Sequence, residues 1–440
     1  MKYKLDFNNI SLYEPQFTSN WNKVSLYELA EWTNGKAFKN TDYTPDGYPI
    51  IKIAELNNGI SSKTKFSENK SLDDKYLITK DDILFSWSGN PYTSINIYKF
   101  NYKIGWLNQH IFKVVNNGEL VEKNYLYYLL KYINPHFIKI ASNKQTTGLG
   151  HVTIKDLKNM VVKIPNLKEQ SSIVKILVNL DNKIKLNDKT IEKFEELTKA
   201  YFKHWFEEFE FPDKNGNPYK TSGGKMIETE IGKIPEKWYV KKLNQLAQHK
   251  KTSFKPSLSS EEEVLHFSIP AFDNNQLPVL DRVIDIKSNK WILEDNCVLF
   301  SKMNPSNKRI WLSSVNNMYV NVASSEFVVL KSENSKKNSF VYNVCISERF
   351  NNFLISNTTG STNSRQRVKP ELAVNYRLPY NEDIVELYCE IAESYIEKIK
   401  ILRSENNHLA QIRDTLIPKL MSGEIGIPDD IEVNEDELSI

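Results

Sequence analysis

Residues 166–206 contain no glycine or proline and carry two interleaved seven-residue series. Ile173, Leu180, Asn187, Phe194 and Tyr201 form one, and Leu177, Ile184, Ile191, Thr198 and Trp205 form the other. Together they step by four and three residues, and only Asn187 and Thr198 are polar. A period of 3.5 residues keeps one helix face on a partner, the pattern of a coiled coil. An uninterrupted helix of this stretch would run roughly 60 Å at 1.5 Å per residue, which requires a partner along its length. A second stretch, 382–420, has the same character, with only Pro418 near its end. A shift of 215 positions carries Ile173 onto Tyr388, Leu180 onto Tyr395, Ile184 onto Ile399, Asn187 onto Leu402, Phe194 onto Leu409, Leu197 onto Ile412 and Tyr201 onto Leu416. The expected arrangement is an intramolecular antiparallel helix pair, with Asn187 and Thr198 fixing its register.

Nearly the same offset, drifting by a few residues as loop insertions produce, relates the sequence outside the helices. WNKVSLYELA from Trp21 to Ala30 matches WYVKKLNQLA from Trp238 to Ala247, a tryptophan anchor followed by one helical turn. YPIIKIAEL (Tyr48–Leu56) reads as a β-rich run, with VLHFSIPAF (Val264–Phe272) its weaker counterpart. ITKDDILFSWSGNP (Ile78–Pro91) matches ILEDNCVLFSKMNP (Ile292–Pro305), each a turn, a buried strand and a polar loop ending in Asn-Pro. A period above 200 residues is a duplicated domain-plus-helix unit. The expected architecture is therefore α+β, with two mixed domains and two long helices in a pseudo-two-fold internal repeat. Its boundaries fall at 1–165 (first domain), 166–210 (first helix), 211–380 (linker and second domain), 381–423 (second helix) and 424–440 (acidic tail). The stretch between Glu208 and Trp238, rich in Pro, Gly, Lys and Ser, reads as the linker.

Composition bounds the class. At 440 residues, two or three domains are expected. No apolar run approaches the roughly 18 residues of a membrane span, and the N-terminal sequence lacks the apolar core of a signal peptide. Cys297, Cys345 and Cys389 are an odd number without Cys-x-x-Cys spacing, so they read as buried thiols of a cytoplasmic protein. Net charge is +3, but residues 424–440 hold seven acids and no Lys or Arg. The remaining body has 58 basic against 48 acidic residues, a net of +10, which favours a polyanionic partner.

Catalytic signatures fail one by one. Asn90-Pro91-Tyr92 resembles the Asn-Pro-Pro-Tyr loop of adenine methyltransferases but lacks the second proline and an accompanying glycine-rich cofactor loop. Thr221–Lys225 (TSGGK) lacks phosphate-loop spacing. The seven histidines show no paired-ligand spacing, and His110 and His151 stand alone. No nucleophile–base pair emerges and no metal site is expected. The pattern points to recognition.

Two loops just before the long helices carry dense hydrogen-bonding side chains suited to base edges and phosphates. SNKQTTGLGHVTIK (Ser142–Lys155) offers Asn143, Lys144, Gln145, Thr146, His151 and Lys155. TTGSTNSRQRVK (Thr358–Lys369) offers Ser361, Thr362, Asn363, Ser364, Arg365, Gln366, Arg367 and Lys369. Arg365 and Arg367 suit guanine, while Asn143, Gln145, Asn363 and Gln366 suit adenine. Further candidates follow the buried strands: Ser86, Trp87, Ser88 and Asn90 in the first copy, and Ser301, Lys302, Asn304, Asn307, Lys308 and Arg309 in the second.

Four segments together resemble the specificity subunits of type I restriction–modification systems over nearly the whole chain. They are IPNLKEQSSIVKILVNLDNKIKLN (Ile164–Asn187), FEELTKAYFKHWFEEFEF (Phe194–Phe211), GNPYKTSGGKMIETEIGKIPEKW (Gly216–Trp238) and LIPKLMSGEI (Leu416–Ile425). Ile78–Gly89 and Leu107–Val114 are similar to that family's target-recognition domains. The resemblance implies that each domain reads one half of an asymmetric bipartite sequence on double-stranded DNA, and that the helix pair sets the half-site spacing. It implies two modification (methyltransferase) subunits docked on this chain, with restriction subunits able to join. It also implies that this chain is non-catalytic and binds no cofactor. S-adenosylmethionine, ATP and Mg2+, adenine methylation and DNA cleavage would belong to those partners. The alternative is a coiled-coil adaptor without sequence-specific DNA binding. The target itself is not written in the chain, because recognition loops follow no simple residue-to-base code.

Overall fold

The computed structural model describes residues 11–68, 72–145, 148–334, 337–360 and 366–427. The candidates Thr146, Ser361, Thr362, Asn363, Ser364 and Arg365, and the acidic tail beyond residue 427, lie outside the described residues. The chain is mixed helix and strand and divides into two compact units, 1–184 with 408–440 and 185–407.

Unit 1 is built on two small sheets. In one, Ala30–Asn34, Ile111–Asn116, Ile83–Ser86 and Asn96–Lys99 lie in that order, all antiparallel. In the other, Tyr48–Ile51 runs parallel to Ile104–Leu107, which pairs in turn with Leu77–Thr79. The run Tyr48–Leu56 is strand only in its first half, because a helix, Ile53–Asn58, takes over. Helix Lys123–Asn143 covers the first sheet with Tyr125, Leu129, Ile133, Phe137 and Ile140, a mainly four-residue stripe that is wholly buried. Ile173, Val174 and Leu177 of the first long helix join that core. So do Leu420 and Met421 near the end of the second long helix. Arg413 donates to Asp181 at 2.8 Å, and the Tyr128 hydroxyl donates to the same carboxylate at 2.5 Å.

Unit 2 has the same strand order. Gln248–Lys250, Phe327–Lys331, Val298–Ser301 and Ile310–Leu312 form its antiparallel sheet. Glu263–Phe267 runs parallel to Val320–Ser324 in the other sheet, and Lys290–Ile292 pairs antiparallel to Val320–Ser324. As in unit 1, the strand at Val264 passes directly into a helix, Ile269–Asn275. The expected linker is folded. Met226–Thr229 and Gly232–Pro235 form a β-hairpin, and Phe211, Ile234 and Trp238 enter the core beside Phe206, Phe340 and Tyr388.

The long helices are Leu167–Phe202, continued by a π-helical turn at Lys203–Glu207, and Glu382–Ser422. Within unit 2 their contacts run in opposite senses: Asn187 meets Glu405 and Asn406, Arg403 meets Glu195, and Tyr388 donates to the Thr198 carbonyl. Ile191, Ile399 and Leu402 pack between them, with Phe194 at the margin. Asn187 is 3% exposed and Thr198 2%, as seam residues should be. Tyr201, expected in the seam, is exposed, and Phe202 is buried instead. A straight helix drifts from a strict seven-residue repeat, which brings the next residue into the seam. Leu197 and Ile412 also face outward. The three cysteines are buried free thiols, each pushed to higher pKa chiefly by burial. Among the described residues no helix is long and apolar enough to cross a membrane.

Candidate nucleic-acid interface

In unit 1 the polar loop after Ile83–Ser86 is clamped between two other segments. The Trp87 N–H donates to the His110 carbonyl at 3.0 Å, and the Trp87 carbonyl accepts from Val152 N–H at 2.8 Å. Ser88–Gly89 then pairs antiparallel with Gly150–His151. A side chain at Gly150 would put its Cβ 2.0 Å from the Ala141 carbonyl, so only glycine lets this strand lie against the helix that ends at Asn143. Trp87 stacks on Phe112 at 5.5 Å, meets His110 edge-on, and gives its indole N–H to Asn34 at 2.9 Å. His110, exposed and at φ +74°, turns the chain here.

Unit 2 repeats the clamp with other side chains. The Lys302 N–H donates to the Glu326 carbonyl at 3.0 Å, and the Lys302 carbonyl accepts from Val368 N–H at 3.0 Å. Asn304 N–H reaches the Gln366 carbonyl at 3.0 Å, and Met303 bridges to Arg367. Trp87, His110 and His151 of unit 1 thus stand at the backbone places of Lys302, Glu326 and Arg367 of unit 2.

The clamp joins Trp87, Ser88 and His151 in one unit, and Lys302, Asn304, Gln366 and Arg367 in the other. Other candidates are otherwise employed. Ser86 is wholly buried; its Oγ accepts from Asn96 N–H and donates to backbone carbonyls. Ser301, 3% exposed, likewise ties down Met303. A serine that ends a buried strand turns inward, so neither is placed to meet a ligand. Asn90 is exposed, but its side chain accepts from the N–H groups of Tyr92 and Thr93. Lys144 is drawn 2.6 Å from Asp156, itself 2% exposed. Burial raises the Asp156 carboxyl, but Lys144 and Thr153 outweigh it and hold the group below the usual carboxylate range. Lys308 pairs with Glu348, and Arg309 pairs through two nitrogens with Asp273. Asn143, Gln145, Lys155, Asn307 and Lys369 are exposed. Sequence reasoning missed Asn34, Glu326 and Asp273, and it set His110 aside. Each acts through a partner 23 to 53 positions distant, and no local pattern marks that.

The chain has known counterparts in sequence and in fold. Residues 18–196 match the family model described as the type I restriction modification DNA specificity domain. The type I restriction enzyme MjaVIII specificity subunit of Methanocaldococcus jannaschii is 29% identical over 248 residues, covering 56% of this chain and 53% of that protein. The match therefore spans about half the length of that relative. The type I restriction enzyme HindI specificity subunit of Haemophilus influenzae is 22% identical, with 92% of this chain and 100% of the relative covered. In structure, the S subunit of a type I restriction–modification system from M. genitalium aligns with TM-score 0.56 at 18% identity, over 92% of this chain and 96% of that one, a shared fold. The chain is thus similar to the specificity subunits of type I restriction–modification systems.

Proposed function

We propose that this chain directs a type I restriction–modification assembly to an asymmetric bipartite DNA sequence. Each unit reads one half-site through the clamped loops, and the antiparallel helix pair, acting as a coiled coil, sets the spacing and docks two modification subunits. The domains are those expected at 1–165 and 211–380, joined by 166–210 and 381–423, and they descend from one duplicated unit. Recognition is the chain's own role. Adenine methylation with S-adenosylmethionine, and ATP- and Mg2+-dependent cleavage by restriction subunits, fall to its partners in the cytoplasm.

The observation that carries this reading is the repeated clamp. One backbone frame, held by the same pair of hydrogen bonds, presents an indole and two imidazoles in unit 1 but an ammonium, a carboxylate and a guanidinium in unit 2. A constant frame with exchanged side chains is what reading two different half-sites requires. The test is co-expression with the cognate modification subunit and genome-wide mapping of methylated adenines. A single bipartite motif with a fixed gap is expected, and exchanging residues 1–165 should change one half alone. A stable complex that adds no new methylation would favour the adaptor reading.

A further inference from the structure

The cations on the unit 2 face are not equivalent. Arg309 donates from Nε and Nη2 to Asp273 at 2.6 and 2.8 Å; its side chain is 12% exposed, and Nη1 is buried with no hydrogen-bond partner. The one unpaired nitrogen of that guanidinium is enclosed and so not open to a ligand. Arg367 is arranged otherwise. It donates from Nε and Nη2 to Glu326 at 3.2 and 3.3 Å, and its side chain is 45% exposed.

A guanidinium has two forked edges, Nε with Nη2 along its side and Nη1 with Nη2 at its end. In Arg367 the carboxylate takes the side edge, and the end edge remains on an exposed side chain. Both partners stand on fixed backbone. Arg367 pairs with Thr359 on one flank and Met303 on the other, and the Glu326 carbonyl holds the Lys302 N–H. The end edge matches the O6 and N7 acceptors of guanine in the major groove. A phosphate brought to the same place would meet the Glu326 charge.

We infer that Arg367 reads a guanine through its end edge and that Glu326 is the positioning residue that aims it and discourages phosphate. The inference rests on the specificity reading above and deepens it. At the same frame positions unit 1 has His151 and His110, so this guanine contact belongs to the half-site of unit 2 alone.

The test uses the full chain assembled with its modification subunits and a DNA library randomised in both half-sites. The wild-type assembly should select a guanine at a position in the half-site that survives exchange of residues 1–165. Arg367→Lys should reduce that preference by about 5- to 150-fold, the range for one bidentate base contact, and leave the rest of the motif intact. Glu326→Ala should weaken the preference at the same position while raising affinity for unrelated DNA, with a steeper salt dependence. Glu326→Gln, which keeps an acceptor, should restore part of the preference, and Arg309→Lys should change no base. An Arg367→Lys assembly that selects the full motif overturns the assignment, as does a Glu326→Ala assembly whose losses spread over all positions. A wild-type assembly that selects no bipartite motif sinks the specificity reading, and this assignment with it.

Discussion

Gln170 ties the first long helix to unit 1, and its removal should loosen that unit alone. The side chain is wholly buried. Its Nε2 donates to the carbonyls of Pro165 and Leu120 at 2.9 and 3.0 Å, and its Oε1 accepts from Glu122 N–H at 2.9 Å. Gln170→Leu keeps the bulk and deletes all three bonds. The Pro165 carbonyl is left unpaired in a dry site, while the two groups beside Glu122 are closer to water. Taking each orphaned group at about 1–3 kcal/mol, with the wetter two at the low end, gives a loss of about 3–5 kcal/mol. Extra apolar burial by leucine offsets roughly 1–2 kcal/mol, leaving a net destabilisation of about 1–4 kcal/mol. For a unit of this size that is a fall of about 2–16 °C in melting temperature. Hydrogen exchange read by mass spectrometry separates the units: peptides covering 120–141 and 165–178 should lose protection, while those of 263–330 should not. The reasoning is refuted if the variant melts within about 1 °C of wild type, or if both units lose protection equally. A position 215 residues on, Val385 is wholly buried in the unit 2 core, so an apolar side chain packs in the second helix at the place where Gln170 makes three hydrogen bonds in the first.

Three further outcomes can be checked. Asn187→Leu removes the bonds to Glu405 and Asn406; if these fix helix register, the gap between methylated half-sites should change or the modification subunits should fail to assemble, and an unchanged gap with normal assembly would refute that role. Burial lowers the pKa of His136, of His249 and of His266, which is nearly wholly buried against Asp281. The unfolded chain then binds protons that the folded chain does not, so stability is full above the ordinary histidine value of about 6.5 and falls as pH drops below it. A urea midpoint equal at pH 7.5 and 5.5 would contradict this. Finally, Lys155→Ala should weaken DNA binding and flatten its salt dependence by about one unit of slope, whereas Lys144→Ala should cost stability through Asp156 with base preference unchanged; filter binding at several salt concentrations, with thermal melts, distinguishes them.

Much of this fold was legible because periodicity survives folding. The heptad series placed Ile173, Leu177, Asn187, Ile191 and Thr198 against a partner, and the 215-residue offset matched the buried strands Ile83–Ser86 and Val298–Ser301. What escaped was set by long-range pairing. Ser86 and Ser301 read as loop donors because sequence cannot tell a strand's last inward residue from its first outward one. Glu326 escaped because acids look like neutral surface until a guanidinium 41 positions away is seen to rest on them. The hairpin of Met226–Pro235 escaped because composition speaks of loops and says nothing of whether Ile234 has a pocket to fill.

The core of unit 1 draws on both extremities of the chain. Leu420 and Met421 are wholly enclosed within it, and Thr18 N–H donates to the Ser422 carbonyl. A ribosome that has just completed residue 184 has still to add about 240 residues before those side chains exist. At roughly 5–20 residues per second that is a wait of about 12–50 s. Throughout it, the wall of residues that will receive Leu420 and Met421 stands open, while unit 2 has its whole chain earlier, at residue 407. The first-made unit is therefore the last that can close.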